Sequence, residues 1–253
     1  MSILSSMGRL WDRILPQNRA MGLFYAREQK KILTELYWAT IFNSTVQQSS
    51  WLLKKNFSPG RWAVGYPFLY VLYRILDEVN PRNILELGLG QSTKMISQYA
   101  DHFLSAAHII VEHDAEWGRF FQSGFPLSVN SQLLMLPCKK ELIRQVRTNL
   151  YDGFEVYFKD KSFDLLVIDG PITLEETTHS LSRIDILPLL PQLLAKEFVL
   201  LFDDYQFLSI RNTITVVKEK LNENNIVFHS AVYSGEKELC MIVSDGYQFL
   251  TTL

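Results

Sequence analysis

Acidic residues follow two apolar segments of this 253-residue chain, and their side chains are the ones best suited to chemistry. Asp169 comes directly after 163–168, and Asp203 and Asp204 come directly after 198–202. If the segments are adjacent parallel strands, about 4.8 Å apart, the three carboxylates converge and repel one another. A hard divalent cation such as Mg²⁺ would relieve that repulsion, because it prefers oxygen ligands. The alternative is that Asp169 only opens an Asp-Gly-Pro turn and that the pair only caps the helix that follows.

A glycine loop at 83–94, "NILELGLGQSTK", is the second feature with chemical meaning. Gly88 can adopt a tight turn, and Gly90 lets the backbone approach a ligand closely because it has no Cβ. The dinucleotide-binding pattern G-x-G-x-x-G needs a third glycine, but Thr93 stands in that position. Glu86 adds a negative charge, which is unfavourable beside a pyrophosphate and favourable beside an ammonium or sulfonium group. The loop therefore favours S-adenosylmethionine over NAD.

The segment "IIVEHD" contains a third acid, Glu112, which lies 22 residues after Gly90. An acid at the end of the second strand of such a sheet can accept hydrogen bonds from both ribose hydroxyls. Taken alone, Glu112 could equally end its strand in solvent, but together with the glycine loop it favours ribose recognition. His113 beside it lies either over an adenine ring or at the surface.

Positioning these acids requires short strands that alternate with helices. Five short apolar segments are predicted as strands, namely 83–87, 108–111, 133–136, 163–168 and 198–202. Such alternation is typical of a doubly wound α/β fold, in which helices cover both faces of a parallel sheet. After a predicted helix at 209–222, two apolar segments flank "SGEK" and indicate a C-terminal antiparallel hairpin.

The first 64 residues differ from the rest and are predicted to form a helical extension of a main domain at 65–253. Apolar residues recur at three-to-four spacing in two stretches, 4–15 and 32–46. An amphipathic helix usually buries its apolar stripe, so a lid or a homodimer element is expected. The alternative is peripheral contact with a membrane surface, suggested by Leu10, Trp11, Ile14 and Leu15 beside Arg9 and Arg13.

The composition is that of an ordinary globular protein. With 47% hydrophobic residues the chain can bury a large core, and 25 Lys and Arg against 27 Asp and Glu give a net charge of −2. Because no long basic run occurs, a nucleic-acid partner is not expected. Cys138 and Cys240 lack the spacing of a zinc site or a redox pair, and neither a signal peptide nor a membrane-spanning run is recognisable. A cytoplasmic protein is therefore expected.

Four segments, "LELGLGQSTK", "VEHDAEW", "FDLLVIDGP" and "FVLLFDDY", resemble class I S-adenosylmethionine-dependent methyltransferases over about residues 65–245. The resemblance implies a Rossmann-like, mostly parallel seven-stranded sheet whose last strand is reversed. It also implies that Glu112 binds the ribose and that the methionine end of the cofactor is surrounded by Glu86, Gly88, Gly90, Gln91 and Ser92. Many members have an acid after strand three for the adenine, whereas this chain has "LPCKKE", so backbone groups at 137–139 are expected there.

The acids after the fourth and fifth of these strands are similar to those of metal-dependent O-methyltransferases of the catechol type. The resemblance implies Asp169 as the first metal ligand and Asp203 and Asp204 as the others, around a metal that orients the acceptor oxygen and lowers its pKa. Those enzymes have a catalytic lysine three residues after the first acid, where this chain has Ile172. The base would then be Asp169, Asp204 or His179, unless activation by the metal suffices.

The expected activity is methylation of a small hydroxyl-bearing acceptor. A sugar or glycan precursor is favoured, because the motifs resemble those of chains associated with bacterial surface polysaccharides. Side chains that could contact the acceptor are Trp62, Tyr66, Arg183 and Tyr205. The first two could equally be core anchors, and Arg183 could form a surface salt bridge. A nicotinamide-dependent oxidoreductase and a non-catalytic nucleotide-binding domain are the alternative functions.

Overall fold

A computed structural model describes the backbone of residues 3–253 and the side chains of residues 21–253. Its α-helices are α1 (Ile3–Thr45), α2 (Tyr66–Val79), α3 (Gln91–His102), α4 (Ala115–Gly124), α5 (Phe154–Phe158) and α6 (Leu208–Glu223). Its strands are β1 (Asn83–Leu87), β2 (Ala107–Glu112), β3 (Ser131–Met135), β4 (Cys138–Ile143), β5 (Val146–Tyr151), β6 (Phe163–Ile168), β7 (Leu194–Phe202), β8 (Phe228–Ser234) and β9 (Glu238–Ser244).

Seven strands of the described chain form one sheet in the order β3-β2-β1-β6-β7-β9-β8. β1 pairs in parallel with β2 and β6, and the β2–β3 and β6–β7 pairs are parallel as well. β9 runs antiparallel to both of its neighbours, β7 and β8. The expected doubly wound, mostly parallel sheet with a C-terminal antiparallel hairpin is thus confirmed. The strand order reverses between β1 and β6, which is where ligands bind in open α/β sheets.

The central strands are almost continuously apolar because helices and loops cover both faces of the sheet. On one face, Ile84 packs in a core with α2 and α3, and this core includes Phe42 and Trp51 from the N-terminal region. On the other face, Leu85 packs in a second core with Phe154 of α5 and with α6. Packing on two sides fixes the strands, so the residues that follow β1, β2, β6 and β7 are held at one edge of the sheet.

The N-terminal region contains one continuous helix of 43 residues, where the sequence pattern indicated two stretches. Near its C-terminal end, Glu35 accepts hydrogen bonds from the backbone amides of Tyr66 (2.6 Å) and Glu236 (2.9 Å). Trp38 donates to the Ser234 carbonyl oxygen (3.0 Å). The extension is therefore joined to the start of α2 and to the tip of the β8–β9 hairpin.

Part of α1 leaves large apolar side chains exposed, among them Leu23, Phe24, Tyr25, Ile32, Leu33 and Leu36. The boundary at 64/65 and the roles as lid or dimer element stay predictions. The residues that suggested a membrane-surface helix, 9–15, lie outside the described side chains. Within residues 3–253, no helix combines the length and the apolar character that crossing a bilayer requires.

The β4–β5 hairpin was not predicted from the sequence. Its strands are joined by Arg144 and Gln145, both in the left-handed region with φ of 51° and 67°. A two-residue turn of this kind usually carries Asn-Gly or Asp-Gly, so "RQ" gave no turn signal. The hairpin ends at Tyr151, whose side chain is buried beside the crevice at the edge of the sheet.

Candidate active site

A cavity of about 680 Å³ lies beyond the carboxyl ends of β1, β2, β6 and β7. It is at the point where the strand order reverses, which is the expected place for a ligand. Of the residues singled out from the sequence, those that line it are Trp62, Gly88, Gly90, Gln91, Glu112, His113, Asp169, Ile172, Arg183 and Asp204. The glycine loop, the strand-two acid and the first aspartate therefore face one common space.

The two loop glycines differ in what surrounds them. Gly88 has φ of 97°, and a Cβ there would lie 3.1 Å from the Asp169 carbonyl carbon and 3.2 Å from the Gly170 nitrogen. Glycine is thus required at Gly88 by the crossing of two backbone segments. At Gly90, a Cβ would meet no atom within 4 Å, although the residue lines the cavity. Gly90 therefore leaves open room that a ligand could fill.

Glu112 is held rigidly at the cavity wall. Its Oε1 accepts hydrogen bonds from the backbone amides of His113 (2.7 Å) and Asp114 (2.8 Å), and its Oε2 accepts one from Leu89 (3.0 Å). Burial raises the pKa of this carboxyl, but the contact with His113 and the three amides outweigh burial and lower it. Glu112 is therefore a fixed anion, and Oε2 keeps a lone pair for a further donor.

Glu86 does not contact the cavity, contrary to what the sequence suggested. It is 0% exposed and lies within β1, where its Oε2 is 3.0 Å from Nε2 of His108 on β2. Nδ1 of the same histidine lies 3.0 Å from Ser131 Oγ on β3. Because β1 is buried on both faces, Glu86 points into the protein and crosses to the neighbouring strand. The expected contact of Glu86 with a sulfonium ligand is thus wrong for this geometry.

The residues that open α3 behave in two ways. Gln91 lines the cavity, and its Oε1 accepts a hydrogen bond from the Ser58 amide (3.0 Å). Ser92 is buried, and its Oγ has no partner among the described residues, so it does not line the space as expected. Gln91 instead joins the glycine loop to segment 58–63, which carries the cavity residues Ser58, Gly60, Arg61, Trp62 and Ala63.

Aromatic side chains that had no predicted role form part of the cavity wall. Trp117 of α4 donates through Nε1 to the Leu89 carbonyl oxygen (2.7 Å), and Tyr151 also lines the cavity. The His113 ring centroid is 6.3 Å from that of Tyr151, its Nδ1 lies 2.9 Å from Glu112 Oε1, and the Glu112 carboxylate raises the pKa of this imidazole. Residues 137–139, expected near an adenine, do not line the cavity. The segment "VEHDAEW" includes Trp117, but only the fold shows that its indole lies beside the Leu89 carbonyl group.

The structure brings the three predicted aspartates together. Carboxylate oxygens of Asp169, Asp203 and Asp204 lie within 4.8 Å of one another. Their strands are direct neighbours, as expected, because β6 pairs with β7 from Leu165↔Val199 to Ile168↔Phe202. Asp204 has φ of 63°, a left-handed conformation that aspartate tolerates better than most residues, and this turns its side chain back toward the cluster.

Two basic side chains lie within this cluster and balance part of its negative charge. Lys237 Nζ lies 2.5 Å from Asp203 Oδ2 and 2.8 Å from Asp204 Oδ1. Arg183 Nη2 lies 2.6 Å from Asp204 Oδ2 and 3.3 Å from Asp169 Oδ1. Arg183 is therefore an internal counter-ion and not a surface salt bridge, while its position in the cavity lining leaves the expected contact with the acceptor a prediction.

The donor set does not fit the expected divalent metal. Two of the carboxylate oxygens, Asp203 Oδ2 and Asp204 Oδ1, are both bound by the same ammonium group, while Asp203 Oδ1 has no partner among the described residues. A divalent ion would need those oxygens at about 2.0–2.6 Å, close to the point where Nζ stands. Since two cations cannot share that point, the roles of Asp169, Asp203 and Asp204 as metal ligands find no support in this arrangement.

The three carboxyls differ in their affinity for protons. Burial, and then the negative charge of Asp203, raise the pKa of Asp169 well above its usual value. Burial likewise raises the pKa of Asp203, against the lowering effect of Lys237. For Asp204, burial is outweighed by Arg183 and Lys237, and its pKa is lowered. Asp169, which faces the cavity, is thus the carboxyl best suited to take up a proton.

The remaining candidates lie at different distances from the site. Trp62 lines the cavity with its side chain 84% exposed. His179 is exposed in the loop after β6 and does not line the cavity, so its position gives no support for a role as base. Tyr66 packs against Phe42, with ring centroids 5.9 Å apart, and Tyr205 packs in the core below the sheet. Neither tyrosine reaches an acceptor in the cavity.

No protein-family model and no curated protein match this chain. Among solved structures, an O-methyltransferase from Bacillus cereus in complex with SAH has a TM-score of 0.42 and 12% identity, covering 85% of this chain and 92% of the other. Cofactor-bound Rv0187 from MTB has a TM-score of 0.46 and 11% identity, over 83% and 89%. Spermidine synthase from Thermotoga maritima has a TM-score of 0.40 and 14% identity, over 68% and 59%. At these values the similarity carries no argument about activity, which rests on the cavity itself.

Proposed function

We propose that this chain is an S-adenosylmethionine-dependent methyltransferase that acts on a hydroxyl group of a small acceptor. The observation that carries the proposal is the shared cavity at the point of strand reversal. Into it face the open backbone at Gly90, the fixed Glu112 anion and the proton-accepting carboxyl of Asp169. This combination supplies a ribose acceptor, room at the glycine loop and a base in one space.

The cofactor is expected to bind between the glycine loop and α4. Oε2 of Glu112 would accept a ribose hydroxyl, while the flat side chains of His113 and Trp117 would lie beside the adenine. Gly90 would lie against the methionine portion, because a Cβ there would occupy the space the ligand needs. The cavity is lined by five acids against two arginines, Arg61 and Arg183, so the charge of its wall disfavours a pyrophosphate and a nicotinamide-dependent oxidoreductase is the weaker alternative.

The bound cofactor supplies an electrophilic methyl group on a sulfonium sulfur. Asp169 would accept the proton of the acceptor hydroxyl as the oxygen forms its bond to the methyl carbon and the carbon–sulfur bond breaks. Arg183 lies 3.3 Å from Asp169 Oδ1 and would hold that carboxylate in place before it takes the proton. The remaining catalysis would come from alignment of the reacting groups in the cavity. No step in this scheme involves a metal.

The acceptor is proposed to be a sugar or a glycan precursor. The exposed ring of Trp62 at the cavity edge supports this, since an indole face can stack on a pyranose ring. Ile172, Leu174 and Phe207 add apolar side chains to the cavity lining. A cytoplasmic location and a homodimer formed through α1 stay predictions, and neither is needed for the chemistry.

Isothermal titration calorimetry with three ligands tests the proposal. We expect S-adenosylhomocysteine and S-adenosylmethionine to bind the intact chain at one site and NAD not to bind. Gly90→Ala is expected to weaken binding of both sulfur ligands. Gly124→Ala is its matched control, because a Cβ at Gly124 also meets no atom within 4 Å but lies away from the cavity. Failure of both sulfur ligands to bind, in a protein that melts cooperatively, would refute the proposed function.

A further inference from the structure

We propose that Lys237 is a built-in cation of the active site, standing at the point where a divalent ion would otherwise bind and positioning Asp203 and Asp204. The inference deepens the proposed function and rests on it for the meaning of the site. Its test reads metal binding alone, so its failure is distinguishable from failure of methyl transfer.

Lys237 reaches the cluster from a distant part of the chain. It is the last residue of the three-residue loop between β8 and β9, and its side chain is only 11% exposed. The loop packs tightly against the N-terminal extension and the start of α2, since a Cβ at Gly235 would lie closer than contact distance to Glu35 Oε2 and Pro67 Cγ. The Glu236 amide donates to the same Glu35 carboxylate (2.9 Å). The loop is therefore held from outside, and Lys237 is aimed inward.

The ammonium contacts two of the oxygens that a metal ion would use. Lys237 Nζ lies 2.5 Å from Asp203 Oδ2 and 2.8 Å from Asp204 Oδ1, and Mg²⁺ or Ca²⁺ would bind such oxygens at about 2.0–2.6 Å. A metal on the same oxygens would stand almost on top of a positive charge, so lysine and metal exclude each other. Buried carboxylates also raise the pKa of Lys237, although burial alone would lower it, so the ammonium stays charged.

Lys237 does more than neutralise charge. Its Nζ also lies 3.3 Å from the Ala63 carbonyl oxygen, next to Trp62 in segment 58–63. One side chain thus joins the β8–β9 loop, the aspartate cluster and the segment that borders the acceptor side of the cavity. We therefore regard Lys237 as a positioning residue that acts through Asp203 and Asp204.

Titration with Mn²⁺, followed by electron paramagnetic resonance of the free ion, tests the inference on the full chain. Wild type is expected to show no saturable Mn²⁺ site in the range of roughly 10⁻⁶–10⁻³ M typical of oxygen-ligand sites. Lys237→Ala is expected to gain one site per chain, and Lys237→Ala combined with Asp203→Asn is expected to lose it again. Lys218→Ala is the matched control, because Lys218 only donates to exposed Ser230 Oγ (2.8 Å).

Loss of Lys237 leaves buried carboxylates without their counter-ion, so Lys237→Ala is also expected to be less stable. Thermal melts with and without Mn²⁺ therefore test for metal binding even if Lys237→Ala is less stable. The ion should raise the melting temperature of Lys237→Ala and leave wild type and Lys218→Ala unchanged. Lys237→Arg retains the positive charge and should behave as wild type. Equal Mn²⁺ responses of wild type and Lys237→Ala, whether both bind or neither binds, would overturn the inference.

Discussion

Replacing Gly90 by alanine is expected to weaken cofactor binding without weakening the fold. A Cβ at Gly90 meets no protein atom within 4 Å, and its φ of −165° is extended backbone that alanine adopts. The methyl group would instead project into the space proposed for the cofactor. Overpacking of this kind costs about 1–3 kcal/mol, which corresponds to a Kd for S-adenosylhomocysteine roughly 5- to 150-fold higher.

Gly88→Ala is the matched comparison, because it is expected to weaken the fold. Here φ is 97°, and the new Cβ would lie 3.1 Å from the Asp169 backbone. The left-handed conformation and the close contact together cost about 2–4 kcal/mol, so the melting temperature should fall by roughly 5–15 °C. Calorimetric binding and differential scanning calorimetry on both variants separate the two effects. If Gly90→Ala binds S-adenosylhomocysteine as tightly as wild type, the ligand does not lie against this loop and the placement is refuted.

Four further predictions follow from the site. Asp169 must be ionised to act as a base and its pKa is raised, so kcat/KM should rise with pH through that pKa. Asp169→Asn should lower kcat/KM at least about 100-fold. His179→Ala should change neither the rate nor its pH profile. Glu112→Gln should weaken binding of S-adenosylhomocysteine about 10-fold or more in calorimetry, since a charged hydrogen-bond acceptor is lost. Methyl transfer measured with EDTA should equal that without it, and activity abolished by chelation would contradict the role of Lys237. Asp185 does not line the cavity; it is buried, and its Oδ1 accepts a hydrogen bond from the Tyr151 amide (2.6 Å). Burial raises the pKa of Asp185 to about 7 from 3.8, so the free energy of unfolding should fall between those pH values and stay level above them. Asp185→Asn should stabilise the protein by at most about 4 kcal/mol at pH 8 in chemical denaturation.

The fold could be predicted from the sequence because its signals are local. The boundaries of β1 and β6 coincide with apolar runs bounded by polar residues, and α2 begins within one residue of Pro67. Alternation of strands and helices then leaves few topologies, and parallel strands joined by helices favour this one. The β4–β5 hairpin was missed because Arg144 and Gln145 adopt positive φ without the residues that usually signal it.

The site was harder to predict because its decisive contacts are between distant residues. Asp169, Asp203 and Asp204 could be placed together, since adjacent strands end at one edge. Lys237 comes 34 residues after Asp203, on the far side of a helix and a strand, and nothing in "SGEK" indicates that it turns inward. The predicted position of Glu86 at the cavity was wrong for a related reason. A carboxylate at a strand end can face the cavity or the neighbouring strand, and the choice depends on His108, whose pairing only the sheet register reveals.

The proposal that Lys237 stands in the place of a metal ion also affects which group acts as the base. Three carboxylates with Arg183 and a divalent ion would sum to zero charge, whereas the same carboxylates with Arg183 and Lys237 sum to −1. The cations are unevenly placed, because both contact Asp204 closely while Asp169 has only the longer 3.3 Å contact to Arg183. Burial, and then the negative charge of Asp203, raise the pKa of Asp169 against the lowering effects of Arg183 and Lys237, which makes Asp169 the proposed proton acceptor. Ile172 offers no basic group three residues after Asp169, so in the proposed mechanism the base is the Asp169 carboxylate. A lysine that replaces the metal leaves one carboxylate free to be that base.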